Sequence, residues 1–314
     1  MLIAFFLGFG TIIFPYSGVT HHDIYGTFFS FLSFYLLFYR YRISDKHHTI
    51  LVALAGVSMG IALFCSMLQV PILAFIVIYL ILNKKPKEIM IFAFFFLIGM
   101  LPTFIFNWTI FGNPFNFPNI VGSATDTIPG FSVENTFAKL RFYLISPSNA
   151  ILFYSPIFII ALVGFFFFKK KYHHEKIAIP LVFFIQLIHL SMIQTVGHSQ
   201  FGPRYLLPSM PFILLGLCGF FSSNKLHKWV KSSIVALIFL FGFASIIINM
   251  TGSMIGVMYH SIDKHAAILY VNRILTGDLP IYPFFYFGLF LVGFILVLVI
   301  LNFSSKKKRI NNEK

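Results

Sequence analysis

Residues 89–111 read IMIFAFFFLIGMLPTFIFNWTIF, without a single charge. At 1.5 Å per residue this run makes a helix of about 34 Å, enough to cross a hydrocarbon core about 30 Å thick. Backbone groups in lipid must be satisfied within the segment itself, and the run is too long for a barrel strand, so it reads as a transmembrane helix. Outward from it the pattern recurs. Apolar runs fall at roughly 2–15, 24–39, 49–66, 70–82, 149–168, 177–196, 205–221, 232–251 and 283–303. With the first run they give about ten transmembrane helices, two of them short, in an all-α integral membrane protein. Pro71 divides 49–82, a stretch overlong for one crossing, into two short helices.

Composition agrees. The 314 residues are 58% hydrophobic and 10% charged, with mean hydropathy +0.88, where a soluble domain carries about 25% charged residues. The 44 phenylalanines supply apolar area to lipid and to neighbouring helices. Cys65 and Cys218 lie inside apolar runs, which excludes a disulfide framework and reads as two buried small hydrophobes. The first 14 residues lack a basic region and a small-residue cleavage site, so they do not read as a signal peptide.

The net charge of +14 is a topology signal. Of the 23 Lys and Arg, 18 fall in the segments 40–48, 83–88, 169–176, 222–231 and the tail from 304. The other five, Lys139, Arg141, Arg204, Lys264 and Arg273, fall in the alternate loops. Positive charge is retained inside, so the expectation is a multi-pass cell-membrane protein with both termini cytoplasmic. Residues 1–303 form the polytopic domain and 304–314 a basic cytoplasmic tail. The basic clusters abut membrane spans and carry no recognition motif, so no nucleic-acid partner is expected; membrane lipids are.

Two outer loops, 112–148 and 252–282, are long enough for structure of their own. Phe137, Leu140 and Leu144 recur at helical spacing in the first, and Ile262, Ala266, Leu269 and Arg273 in the second, which predicts short interfacial helices.

No phosphate-binding Gly loop, dinucleotide fingerprint, HExxH or nucleophile elbow occurs. The outer-face residues carry what chemistry there is. His21, His22 and Asp23 open the second span; such a trio binds a divalent cation or serves as acid and base, or else Asp23 caps a helix from a solvated loop. Arg204 sits where a later span re-enters the membrane, placed to grip a lipid phosphate or to snorkel beside Tyr205. His189, mid-span, reads as a neutral imidazole hydrogen-bonded to a neighbouring helix.

Four stretches taken together resemble a family. They are Gly10 to Ser17 followed by His22-Asp23; Asn107 to Phe115, ending Phe111-Gly112-Asn113-Pro114-Phe115; Ser146 to Pro156; and Phe201 to Pro208 around Arg204. In order and spacing the chain resembles the polyprenyl-phosphate-sugar-dependent GT-C glycosyltransferases, of the mannosyltransferase-like and aminoarabinose-transferase-like, family 39 type. The resemblance implies a GT-C-like bundle that moves a sugar from a polyprenyl-phosphate donor to a lipid or protein acceptor at the extracytoplasmic face. It implies a catalytic role for Asp23 and donor-phosphate binding by Arg204 and Tyr205, with His198 and Gln200 as further candidates. A divalent metal ion, if one is used, falls to His22 and Asp23. Family members carry a catalytic Asp in a first outer loop ahead of the segment where this chain begins, so the resemblance also implies a truncated form or a chain catalytically incomplete alone. A multi-pass transporter or lipid-handling protein, or a non-catalytic membrane subunit, is the alternative; neither an internal repeat nor a mid-span charge is present to favour a transporter.

Overall fold

A computed structural model describes residues 1–19, 21–43, 48–83, 86–116, 136–192, 200–222, 226–255, 265–278 and 288. The regular elements described are helices. Five are long and apolar enough to cross a membrane: His48–Cys65, Pro86–Phe111, Lys170–Met192, Arg204–Ser222 and Trp229–Met254. Met67–Leu82 and Ile157–Phe167 are shorter apolar helices. The expected span at 283–303 apart from residue 288, the tail 304–314, and Asp126, Glu134 and Lys264 of the outer loops lie outside the described residues. The chain forms two compact units, Met1–Ala266 and Ala267–Lys314.

In the first unit, α1 is Leu2–Phe9, α2 Ile13–Ser17, α3 His22–Arg42, α4 His48–Cys65, α5 Val70–Leu82 and α6 Pro86–Phe111. The expected run 49–82 is indeed two helices, and the break is a 3₁₀ turn at Met67–Gln69 ahead of Pro71. Packing of α3 on α4 is polar in part: Thr27, Ser30 and Ser33 of α3 are buried, and the Ser33 hydroxyl donates to the Ala55 carbonyl at 2.7 Å. A hydroxyl facing a neighbouring helix finds a partner there that lipid would deny it.

Small residues set the approach of α4 to α6. A Cβ added to Gly60 would lie 2.7 Å from the Gly99 Cα, so the backbones meet there and no side chain fits. Gly99→Leu should therefore part the two helices, at a cost of about 1–3 kcal/mol for overpacking. A thermal melt in detergent should show a clear drop in midpoint, and an unchanged midpoint would mean that the seam opens freely.

Three runs that hydropathy presents as continuous are broken. The first splits at Gly10–Ile12 between α1 and α2. In 149–168, α7 is Thr136–Leu144 just upstream, α8 Ile151–Tyr154 and α9 Ile157–Gly164, interrupted at Ser155-Pro156. Proline has no N–H and disfavours the α conformation of the residue before it, and Ser155 accordingly adopts φ −141°, ψ 71°. Both groups freed by the break are satisfied from α13, Lys228–Ile255: Asn249 Nδ2 donates to the Tyr154 carbonyl at 2.6 Å, and the Ser245 hydroxyl accepts from the Ile157 N–H at 3.0 Å. The third break follows α10, His173–Met192: residues Arg204–Ser209 form a 3₁₀ segment, then α11 is Met210–Leu214 and α12 Leu217–Ser222.

Helices form in both loops where short ones were expected, α7 in the first and α14, Ala266–Leu275, at the second; Ile262 lies outside the described residues. On α7 the face turned to the protein holds Lys139 and Tyr143, while of the stripe read from sequence Phe137 is 84% exposed and Leu140 and Leu144 are half-buried. In the second unit, Ile268, Val271 and Leu275 lie exposed on one side of α14 and Tyr270 is buried.

α3 joins two polar clusters about 30 Å apart, the length of its 21 residues. At its C-terminal end Arg40 pairs with Glu88 and Arg42 with Glu175, gathering residues that the span alternation puts on one side. The other end carries the candidate site.

Candidate functional site

His21 caps α3. Its backbone is extended (φ −78°, ψ 131°) and its Nδ1 lies 3.3 Å from the Asp23 N–H, so the cap belongs to the residue two before the one expected. Asp23 is no solvated cap: it sits in the first turn and is 1% exposed. The capping-loop reading of Asp23 is corrected on this point, because neighbouring elements close over the carboxylate. The break after α4 supplies Ser66, whose extended backbone (φ −159°, ψ 127°) turns its hydroxyl onto Asp23 Oδ1 at 2.6 Å. Ser66 Oγ also accepts the Leu68 N–H at 3.3 Å.

Arg204 arrives from a distant segment. Gly202, at φ +64° against the Tyr154 ring, makes a turn that a side chain would strain. The Phe201 carbonyl accepts the Tyr16 hydroxyl at 3.0 Å, and the Phe201 ring stands edge-on to Tyr154 at 4.9 Å. Gln186 of α10 then ties the Arg204 segment to the turn beside Ser66, donating to the Tyr205 carbonyl at 2.9 Å and the Leu68 carbonyl at 3.2 Å.

So held, the guanidinium meets three groups at once. Nη1 is 2.8 Å from His21 Nε2, Nε is 3.6 Å from Asp23 Oδ2, and Cζ lies 4.8 Å from the Tyr205 ring centroid. Asp23 and Arg204, singled out separately in the sequence, are thus an ion pair, and Tyr205 is a cation–π floor beneath the guanidinium. His22 Nε2 lies 3.4 Å from Asp23 Oδ1 on the exposed side, and the ligand atoms of His21, His22 and Asp23 fall within 4.8 Å of one another. These are the three residues that the sequence offered together as a cation-binding or acid–base trio.

Burial drives the His21 imidazole below its ordinary pKa; Asp23 opposes this and Arg204 reinforces it. The ring is therefore neutral near pH 7, and a neutral imidazole has one lone pair. Two donors approach it: the Asp23 N–H at Nδ1 and the Arg204 guanidinium at Nε2. Only one can be accepted at a time. Asp23 Oδ2 has no hydrogen-bond partner, and Arg204 Nε has none either.

Of the remaining candidates, His198 lies outside the described residues. Gln200 is described, with its Oε1 buried and without a hydrogen-bond partner. His189 is half-buried and none of the described residues hydrogen-bonds it; the inward polar group of that helix is Gln186, one turn earlier. The FGNPF stretch is a helix exit: Gly112 takes φ +68° and Asn107 Nδ2 donates to the Pro114 carbonyl at 3.1 Å. Ser66 was not legible as a site residue, since a lone Ser at a break belongs to no motif, and Tyr16, although inside the Gly10 to Ser17 stretch, was given no role there.

The class defined by these elements is a helical protein with five helices long and apolar enough to cross a membrane and a buried carboxylate–guanidinium–imidazole cluster at one end of a long helix. No protein-family model, no curated protein and no solved structure matches the chain.

Proposed function

We propose that the chain is a membrane glycosyltransferase of the GT-C kind, with about ten spans, both termini in the cytoplasm and its site at the extracytoplasmic face. The observation that carries this reading is the Asp23–Arg204 pair, because the two residues that the resemblance assigns to catalysis and to donor phosphate meet, 3.6 Å apart, with His21 bridging them. In the reaction an acceptor hydroxyl of a lipid or protein attacks the anomeric carbon of a polyprenyl-phosphate sugar. The new C–O bond forms as the bond from that carbon to phosphate oxygen breaks. The hydroxyl proton passes to Asp23 Oδ2, the carboxylate oxygen left without a hydrogen bond. The leaving phosphate gains negative charge, and Arg204 offers it a planar pair of N–H donors over the Tyr205 ring. Gln200, with its buried and unpaired Oε1, is placed in the same segment to accept from a sugar hydroxyl.

The test follows the phosphorus atom. Transfer converts the donor phosphodiester to a monoester, which phosphorus NMR resolves whatever the acceptor is. Proteoliposomes given a polyprenyl-phosphate hexose or pentose and total membrane lipid should accumulate the monoester. Absence of monoester with every donor, together with solute counterflow, would instead make the protein a transporter. Cysteine labelling that marks 169–176 from outside the cell, and spares the surroundings of Arg204, would invert the orientation and remove the donor's access.

A further inference from the structure

We propose that the break between α8 and α9 binds one sodium-class monovalent cation through Ser155 Oγ, Asn249 Oδ1 and Ser245 Oγ. Ser155 and Asn249 are fully buried, and neither Ser155 Oγ nor Asn249 Oδ1 has a hydrogen-bond partner. Buried polar atoms are normally paired, so these two oxygens point to a ligand. They belong to one place. Asn249 Nδ2 donates to the carbonyl of Tyr154, the residue before Ser155, and Ser245, one turn earlier on α13, accepts from the Ile157 N–H, two residues after it.

Hydrogen counting selects the kind of ligand. Asn249 Nδ2 gives both its hydrogens to carbonyls, that of Tyr154 at 2.6 Å and that of Ser245 at 2.8 Å, which fixes the amide orientation and leaves Oδ1 as the free end. The Ser245 hydroxyl donates to the Phe241 carbonyl at 2.7 Å and accepts the Ile157 N–H, so one lone pair remains on it. Pro156 has no N–H to offer. Lone pairs therefore outnumber the one uncommitted hydrogen, that of Ser155, and the break suits a cation rather than an anion. All three oxygens are neutral. Calcium sites are built with carboxylates and magnesium gives up its water reluctantly, so a monovalent ion fits them better.

A second helix break meets the same serine. A Cβ added to Gly10 would lie 3.5 Å from the Ser245 Cβ, so the interruption between α1 and α2 backs onto α13 at this level and brings the negative end of the α1 dipole with it. Interrupted helices whose freed oxygens converge are a general way of holding sodium inside a helical bundle. The ion has a structural reach beyond its ligands. Tyr154, whose carbonyl Asn249 holds, sets its ring against Phe201 at 4.9 Å and against Gly202, the turn ahead of Arg204. An ion at Ser155 thus braces the backbone that presents Arg204. The site stands on these contacts and does not depend on the glycosyltransferase reading.

The experiment melts the purified full chain in detergent in sodium, potassium or choline chloride at equal ionic strength, with ²³Na NMR line broadening as the direct measure of binding. The wild-type midpoint should rise saturably with sodium, less with potassium and not with choline. Ser155 Oγ bonds no other group of the protein, so Ser155→Ala should melt with the wild type in choline chloride and bind sodium at least about tenfold more weakly. Equal wild-type midpoints in the three salts, with no sodium broadening, would mean that the oxygens hold a water molecule and would overturn the proposal. A sodium response kept in full by Ser155→Ala would overturn it as well, by placing the ion elsewhere. Should Ser155→Ala fail to fold, the wild-type titration decides alone. No sugar donor is present, so the outcome leaves the transfer assay to be judged separately.

Discussion

Replacing Arg204 with alanine should lower the catalytic efficiency for the polyprenyl-phosphate donor by about 10²–10³-fold, the usual loss when one donor to a developing oxyanion is removed. The guanidinium is the only described cation within reach of Asp23, at 3.6 Å, and it rests on the Tyr205 face at 4.8 Å. Leaving-group charge grows as the sugar–oxygen bond breaks, so the contact strengthens in the transition state and the deficit should appear in kcat. Arg204→Lys should remain at least about tenfold down: an ammonium is a point charge without the fork that spans His21 and Asp23 together. A structural explanation is separable. Arg204→Ala leaves the Asp23 carboxylate buried beside Ser66 and two imidazoles, which lowers stability, whereas Arg204→Ala with Asp23→Asn removes that charge. The double variant should regain the thermal midpoint and stay inactive. Wild-type turnover in Arg204→Ala would end the assignment of Arg204 to the phosphate.

The sequence singled out Asp23 and Arg204 one at a time, and their contact was not legible in it. Alternation of spans puts His21 and Arg204 on one face, yet they stand 183 positions apart and nothing in hydropathy says that they touch. Contact depends on the 3₁₀ segment at Arg204–Ser209, the turn at Gly202 and the tie through Gln186, and all three are tertiary matters. Cap preference favoured Asp23 over His21, but burial against Ser66 and Arg204 overrode it, and the imidazole took the cap. The breaks were legible in part. Pro71 was read as one; Pro156 acts by the same rule, but it lies inside an apolar run whose average hydropathy conceals it. Asn249 and Ser245, which repair that break from α13, are isolated polar residues whose purpose depends on a backbone 88–95 positions away.

At the opposite end of α3, Arg42→Ala should cost about 3–5 kcal/mol of stability, the range for removing one partner of a buried ion pair. Arg42 holds Glu175 by two bonds, Nε to Oε1 at 2.5 Å and Nη2 to Oε2 at 3.0 Å, and the Tyr79 hydroxyl donates to Oε1 at 3.0 Å. Glu175 is 1% exposed, so without Arg42 its charge is left buried against the Tyr79 phenol. Arg40 cannot substitute, because it is held in a separate cluster by Glu88 at 3.1 Å, which also accepts the Tyr41 hydroxyl at 2.6 Å. A thermal melt in detergent should place Arg42→Ala well below the wild type. Arg42→Ala combined with Glu175→Gln should recover much of the loss, since a neutral amide can keep the Tyr79 contact without an uncompensated charge. If the single variant melts with the wild type, water reaches Glu175 and the pair adds no more than a surface bridge. α3 is anchored at this end by charge and at the other by Asp23, so a loosened Arg42 end should also disturb the register of His21 against Arg204. Arg42→Ala should therefore reduce donor turnover as well as stability, and the Glu175→Gln partner should restore both together.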